Sequence, residues 1–176
     1  MSIGIEVEVK QMKIKLTPQI SYIAGITKYL GVRDGIGIHG TDAQIQAFAK
    51  AVMEAKFTTA DKLIAKEKMI RFFHSAYRTY IEQIKTEAVD RFKHHNDYAS
   101  AYLAGIFDAV GAIDDKRVFL KRCDFKDDAI FENLGFGIRK ERGALLIGHA
   151  DQFLKFVSQF RKVDDIELQI AKKMAD

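Results

Sequence analysis

A chain of 176 residues, 48% hydrophobic and 30% charged, can build one substantial core or two small intertwined halves. Its net charge of +4 comes from 28 basic residues set against 24 acidic ones, compatible with a nucleic-acid partner without requiring one. No apolar run approaches the ~18 residues of a membrane span, Met1-Ser-Ile-Gly-Ile5 lacks the basic start and apolar stretch of a secretory signal, and the single Cys123 excludes an internal disulfide framework and points to a reducing, cytoplasmic compartment.

The N-terminus alternates: Ile3, Ile5, Val7 and Val9 on one face, Glu6, Glu8 and Lys10 on the other. The apolar parity then switches to Met12, Ile14 and Leu16, with Lys13 and Lys15 opposite, so a hairpin or bulged strand is expected with a break near Lys10-Gln11. Thr17-Pro18 opens a helix that runs to Leu30, where Gly31 can terminate it. A short strand, Gly35 to His39, precedes a second helix capped by Thr41 or Asp42, with Ile45, Phe48, Ala49, Val52 and Met53 as its apolar stripe.

Residues 59–95 are expected to form one long helix. Leu63, Ile70, Phe73, Tyr77, Ile81, Ile84, Ala88 and Phe92 recur at helical spacing among Lys62, Lys66, Lys68, Arg71, Arg78, Lys85 and Arg91. Asn96-Asp97 breaks it, and a helix over about 98–110 follows. A strand is expected over Arg117–Phe125 and a short helix over Asp127–Leu134, ended by Gly135. Phe136–Lys140 and Ala144–Gly148 form a hairpin around Glu141-Arg142-Gly143. Asp151 caps a final helix with Phe153, Phe156, Val157 and Phe160 inward, and a charged tail follows Lys162.

The stretch Tyr102-Leu-Ala-Gly-Ile-Phe-Asp-Ala-Val-Gly-Ala-Ile113 resembles the signature helix of the LAGLIDADG homing endonucleases. Leu103, Ala104, Gly105, Ile106, Asp108, Ala109 and Gly111 fit the pattern. The residue before the last glycine, the metal-binding acid of the family, is here Val110, and a valine cannot ligate a hard cation. The resemblance implies an α/β (α+β) fold with an αββαββα half-unit on the C-terminal side. In the family two such helices pair through small residues, here the strip Ala101, Ala104, Gly105 and Ala109 with Asp108 beside it.

Two internal pairings compete. One sets Tyr22-Ile-Ala-Gly-Ile26 beside Tyr102-Leu-Ala-Gly-Ile106 and places Leu30 at the acid position. The other sets Lys13–Ala49 beside Lys121–Val157. The second is preferred, because a short strand and a helix follow Gly31 instead of a full ββαββα run. It divides the chain into an N-terminal half-unit (1–57) with a ββαββα pseudo-repeat, a long connecting helix (58–96), the LAGLIDADG-like half-unit (97–162) and a charged tail (163–176). The first half would then lack a motif helix, and the long helix or a second subunit would supply the partner. A homodimer through the motif helices is the simplest solution.

The resemblance implies a sheet saddle that enters the DNA major groove, with Lys13, Lys15, Lys116, Arg117, Lys121, Arg122, Arg139, Lys140 and Arg142 as candidate DNA contacts. Glu6, Glu8, Asp124 and Glu141 beside the same strands fit a solvated face equally. Asp108 lies about 200° round the helix from Val110, so it cannot replace the missing acid. Asp114 and Asp115 read as a strand-to-strand turn. Adjacent His94 and His95 point about 100° apart and do not chelate together. Gly35-Ile-Gly37 lacks the third glycine of a phosphate loop. No catalytic residue, metal ligand or cofactor is assigned. The expectation is a double-stranded DNA-binding protein without nuclease activity, a regulator or relic of a mobile element. The alternatives are an RNA-binding, maturase-like role, a nuclease with relocated metal ligands such as Asp108 or Asp114, and a protein–protein scaffold on the long helix.

Overall fold

The computed structural model describes residues 13–163, so the alternation expected from Ile3 to Met12 and the tail from Asp164 onward lie outside the described residues. Lys13 to Thr17 carry no regular structure. Helix α1 (Pro18–Leu30) starts as its sequence dictates: the Thr17 side-chain oxygen accepts from the Ile20 N–H at 3.2 Å, and Pro18 occupies the first turn. It ends at Gly31, whose N–H donates to the Thr27 carbonyl. There glycine serves space: a Cβ would lie 2.3 Å from the Thr27 oxygen.

Strand β1 (Ile36–His39) leads into α2 (Asp42–Glu54), opened by a reciprocal capping box between Thr41 and Gln44. A 3-10 turn (Ala60–Lys62) precedes β2 (Ile64–Lys66) and β3 (Met69–Phe72). Helices α3 (Ser75–Thr86) and α4 (Ala88–Arg91) complete the first half. The second half runs through α5 (Asp97–Val110), β4 (Gly111–Asp114), β5 (Arg117–Leu120), α6 (Phe125–Asn133), β6 (Ile138–Glu141), β7 (Ala144–Ile147) and α7 (Ala150–Val157). Helix α5 is buried from Ala99 to Val110, because both halves pack on it.

The strands form two antiparallel sheets, ordered β1-β3-β2 and β4-β5-β7-β6. Their registers coincide. Ile38 pairs with Ile70, and Ile70 with Ala65, as Leu120 pairs with Leu145 and Leu145 with Lys140. Gly31 bridges to Ile38 where Gly111 pairs with Leu120. Both halves are therefore αββαββα units, with the first strand of the N-terminal unit reduced to a bridge at Gly31. Each sheet buries one face: Ile36, Ile38, Ile70 and Phe72 in the first, Val118, Leu120, Leu145 and Ile147 in the second.

Two expectations are corrected. No single helix spans 59–95: that stretch holds a β-hairpin followed by two helices. Its two-residue turn, Glu67-Lys68, places Lys68 at φ +59° without the glycine or asparagine that marks such turns. Recovering this hairpin gives the first half its complete ββαββα run and overturns the preferred pairing of Lys13–Ala49 with Lys121–Val157. The pairing of Tyr22–Ile26 with Tyr102–Ile106 is the structural one. The first half-unit continues past residue 57 through α4, so no lone helical connector occupies 58–96, while the second half-unit opens with α5 at Asp97.

Candidate functional site

The centre of the molecule is the contact between α1 and α5. A Cβ added at Gly25 would lie 2.2 Å from the Tyr102 carbonyl oxygen, and one at Gly105 would lie 2.3 Å from the Tyr22 oxygen. The two glycines face each other, and each is set against the residue three positions before the other. This reciprocity defines a pseudo-two-fold axis between parallel helices. Only hydrogen on both α-carbons permits the approach. Ala101 and Ala109 lie one turn either side of Gly105 on the same face, whereas Ala104 is buried about 100° round from it. Because α1 covers this strip, α5 is paired within the chain, and neither a second subunit nor a long helix is needed as its partner.

The C-terminal ends of both helices carry apolar side chains, Leu30 and Val110. Divalent ions implied by this fold would need oxygen donors there. The residues present do not fit them. Leu30 and Val110 offer none, and nearby backbone carbonyls are already engaged by donors. Gln44 Nε2 donates to the Asp108 and Ala109 carbonyls at 2.9 and 3.1 Å. The Lys121 N–H donates to the Val110 carbonyl at 2.8 Å, and Arg122 Nη2 donates to the Tyr29 carbonyl. Among the described residues, no three His, Cys, Asp or Glu side chains are grouped to hold a metal ion.

Asp108 does not reach this end. Its side chain is fully buried and accepts from Tyr22 Oη at 2.7 Å, Arg161 Nε at 3.2 Å, the Lys162 N–H at 2.7 Å and the Val163 N–H at 3.3 Å. Burial pushes its carboxyl above the usual range, against the pull of Arg161, the Lys162 N–H and Tyr22. It therefore ties the chain after α7 to the helix pair, and it has no free oxygen to offer a metal. The other half answers with opposite polarity. The motif position equivalent to Asp108 is Lys28, whose ammonium lies 3.0 Å from Asp127 and 3.1 Å from Asp124. Tyr102 Oη donates to Asp127 at 3.1 Å, as Tyr22 does to Asp108, and Tyr29 Oη also donates to Asp127. Cys123 lies beside Tyr29, and burial pushes its thiol far up, as does the neighbouring Asp127.

The outer sheet faces place the expected basic residues unequally. On the C-terminal sheet the pleat puts Arg117, Phe119, Leu146 and Arg139 together, away from the helices. Arg117 lies 3.4 Å from Asp114, and Arg139 lies 3.1 Å from Glu141, so both arginines are paired on that face. Lys140 has the opposite parity: it shares the helix-side face with Leu145, and its ammonium lies 2.7 Å from Asp128. It cannot act with Arg139 on one surface. Lys116 and Arg142 occupy hairpin tips at φ +67° and +51°. Lys13 and Lys15 are exposed ahead of α1, on no strand. On the N-terminal sheet the outer face carries His39, Ile64, Lys66 and Arg71. The Arg71 guanidinium sits 5.2 Å from the ring centroid of Phe73, which is 57% exposed, and its Nε is buried with no hydrogen-bond partner among the described residues. Spacing alone puts Arg71 and Lys66 on a helix; the signal for a strand is Ile70 and Phe72 flanking Arg71 at a spacing of two.

No protein-family model matches the chain, and no curated protein matches it by sequence. Solved structures of the homing endonuclease I-DmoI do match. Its mesophilic variants superpose with a TM-score of 0.59 at 14% identity, covering 81% of this chain and 96% of theirs. A variant of I-DmoI in complex with its target DNA in the presence of magnesium gives 0.61 at 13% identity, over 80% and 96%. I-DmoI with DNA and manganese gives 0.54 at 14% identity, over 80% and 96%. Two αββαββα units joined at a glycine-to-glycine helix contact, together with this superposition, show that the chain has the LAGLIDADG homing endonuclease fold.

Proposed function

We propose that this protein binds double-stranded DNA along the outer faces of its two sheets and does not cut it. The carrying observation is the junction itself: the paired helices are intact to the packing of Gly25 on Gly105, yet Leu30 and Val110 stand where acids would hold cations. The superposed I-DmoI structures include complexes with target DNA, which supports a duplex as the partner. The chemistry of the faces suits one. Arg117 and Arg139 are exposed, and their ion pairs with Asp114 and Glu141 are of the weak surface kind, so exchange for phosphate or a guanine edge costs little. Phe119 and Leu146 between them offer apolar contact to thymine methyl groups. Buried and fully engaged, Asp108 argues against a relocated metal site in this helix.

Fluorescence anisotropy with a labelled DNA duplex across a salt series, repeated with double-stranded RNA of the same sequence, tests this reading. Tight, salt-sensitive binding to DNA is expected, with the DNA uncut after incubation in Mg²⁺. Preference for RNA would make the protein maturase-like, and no binding at low salt would leave the fold as a scaffold for protein contacts.

A further inference from the structure

The metal position of the fold is closed by two consecutive residues, one through its backbone amide and the other through its guanidinium. Lys121 and Arg122 are consecutive, and together they join the C-terminal ends of both motif helices: the Lys121 N–H holds the Val110 carbonyl of α5, and Arg122 Nη2 holds the Tyr29 carbonyl of α1. The Arg122 guanidinium also stands 5.9 Å from the centroid of the Tyr29 ring. Both residues are exposed in the connection just after β5, and among the described residues no carboxylate forms an ion pair with either, whereas Arg117, Arg139 and Lys140 on the adjoining sheet are each paired. The C-terminus of α1 carries partial negative charge, which holds the Arg122 guanidinium in place without neutralising it fully.

We propose that Lys121 and Arg122 act as fixed cations that take the place of divalent metal, contacting the DNA phosphates that cross the helix junction. This rests on the duplex-binding reading above. The Arg122 charge, with that of Lys121 on the adjacent residue, then stands at the junction where mobile ions would otherwise screen phosphate, and Leu30 and Val110 offer no oxygen donor to recruit Mg²⁺. Divalent ions are reduced to competing counterions. DNA binding should be complete in a chelator and weakened, not strengthened, by Mg²⁺.

The test is the affinity of the full chain for a duplex long enough to span both sheets, measured across a NaCl series in EDTA and again with Mg²⁺ at matched ionic strength. Three proteins are compared: wild type, Lys121→Gln, and Lys121→Gln with Arg122→Gln. Wild type should bind in EDTA and bind more weakly in Mg²⁺. Each phosphate contact contributes about 0.9 to the slope of log affinity against log salt, so the single variant should lose about 1 and the double variant about 2. Because the Lys121 side chain makes no hydrogen bond or ion pair among the described residues, the single variant reports even if loss of Arg122 disturbs α1. Wild-type binding that requires or is strengthened by Mg²⁺, or slopes unchanged in both variants, overturns the inference and leaves duplex binding standing. Failure of wild type to bind at the lowest salt overturns both.

Discussion

Replacing Gly105 by alanine tests the helix junction directly. A methyl group there would sit 2.3 Å from the Tyr22 carbonyl oxygen and 2.8 Å from the Ile26 nitrogen, both backbone atoms of α1. Neither can rotate away, so α1 and α5 must separate by roughly 1 Å to restore ordinary contact distances near 3.5 Å. Overpacking costs about 1–3 kcal/mol where side chains can yield, and a backbone clash belongs at the upper end. Alanine returns about 1 kcal/mol as the better helix former. The net destabilisation is roughly 2 kcal/mol, which lowers the melting temperature by about 4–8 °C in a chain of this size. Gly25→Ala should behave alike, with its Cβ 2.2 Å from the Tyr102 oxygen. The double variant should cost less than the sum, because both methyls open one gap. Circular dichroism melts measure all three. A melting temperature that rises in either single variant, as it would for glycine in an unpacked helix, would refute the close approach.

Three further outcomes are expected. Asp108→Asn strands the Arg161 guanidinium, whose side chain is 3% exposed, and should cost about 3–5 kcal/mol in urea melts; adding Arg161→Met should recover part of it, and no recovery would contradict the pairing. Cys123, held protonated by burial, should alkylate far more slowly with iodoacetamide at pH 8 in the native protein than in urea. Its raised native pKa adds stability that is fully present below the unfolded thiol pKa of about 8.5 and is lost as pH rises above it, so labelling at the free-thiol rate would be inconsistent with this environment. Arg71→Ala should reduce the salt slope of DNA binding by about 1, while Lys140→Ala, on the helix-side face beside Asp128, should leave it unchanged; equal effects would mean the sheet faces are misassigned.

Much of this architecture is legible in local chemistry. Thr17-Pro18, the Thr41/Gln44 capping box and Asn96 each satisfy helix N–H groups with residues a few positions away, so those starts are visible in the sequence. The β2–β3 hairpin is not, because its register depends on β1, which lies far upstream, and its turn residue Lys68 adopts a left-handed conformation without announcing it. Leu63, Ile70, Phe73 and Tyr77 fall at helical intervals, yet Ile70 lies on a strand, Tyr77 on a helix, and Leu63 and Phe73 on neither. A continuous helical spacing therefore masks the second half of the N-terminal unit and with it the intramolecular partner of α5. At the site, the loss of acids at Leu30 and Val110 is plain from the motif. The partners of Asp108 are not: Arg161, Lys162 and Val163 reach it only through the fold. The even and odd faces of β6, which separate Lys140 from Arg139, likewise require the observed register.

Selection from a random duplex library, with both bound and cut fractions sequenced in Mg²⁺, tests the central claim most directly. A protein with two unlike sheet faces and with Leu30 and Val110 at the ends of its paired helices should enrich one long, asymmetric sequence and yield no ligatable cut ends. Enrichment accompanied by cut ends within the site would show that a nuclease centre survives elsewhere in the chain, and no enrichment at low salt would remove DNA recognition from the account.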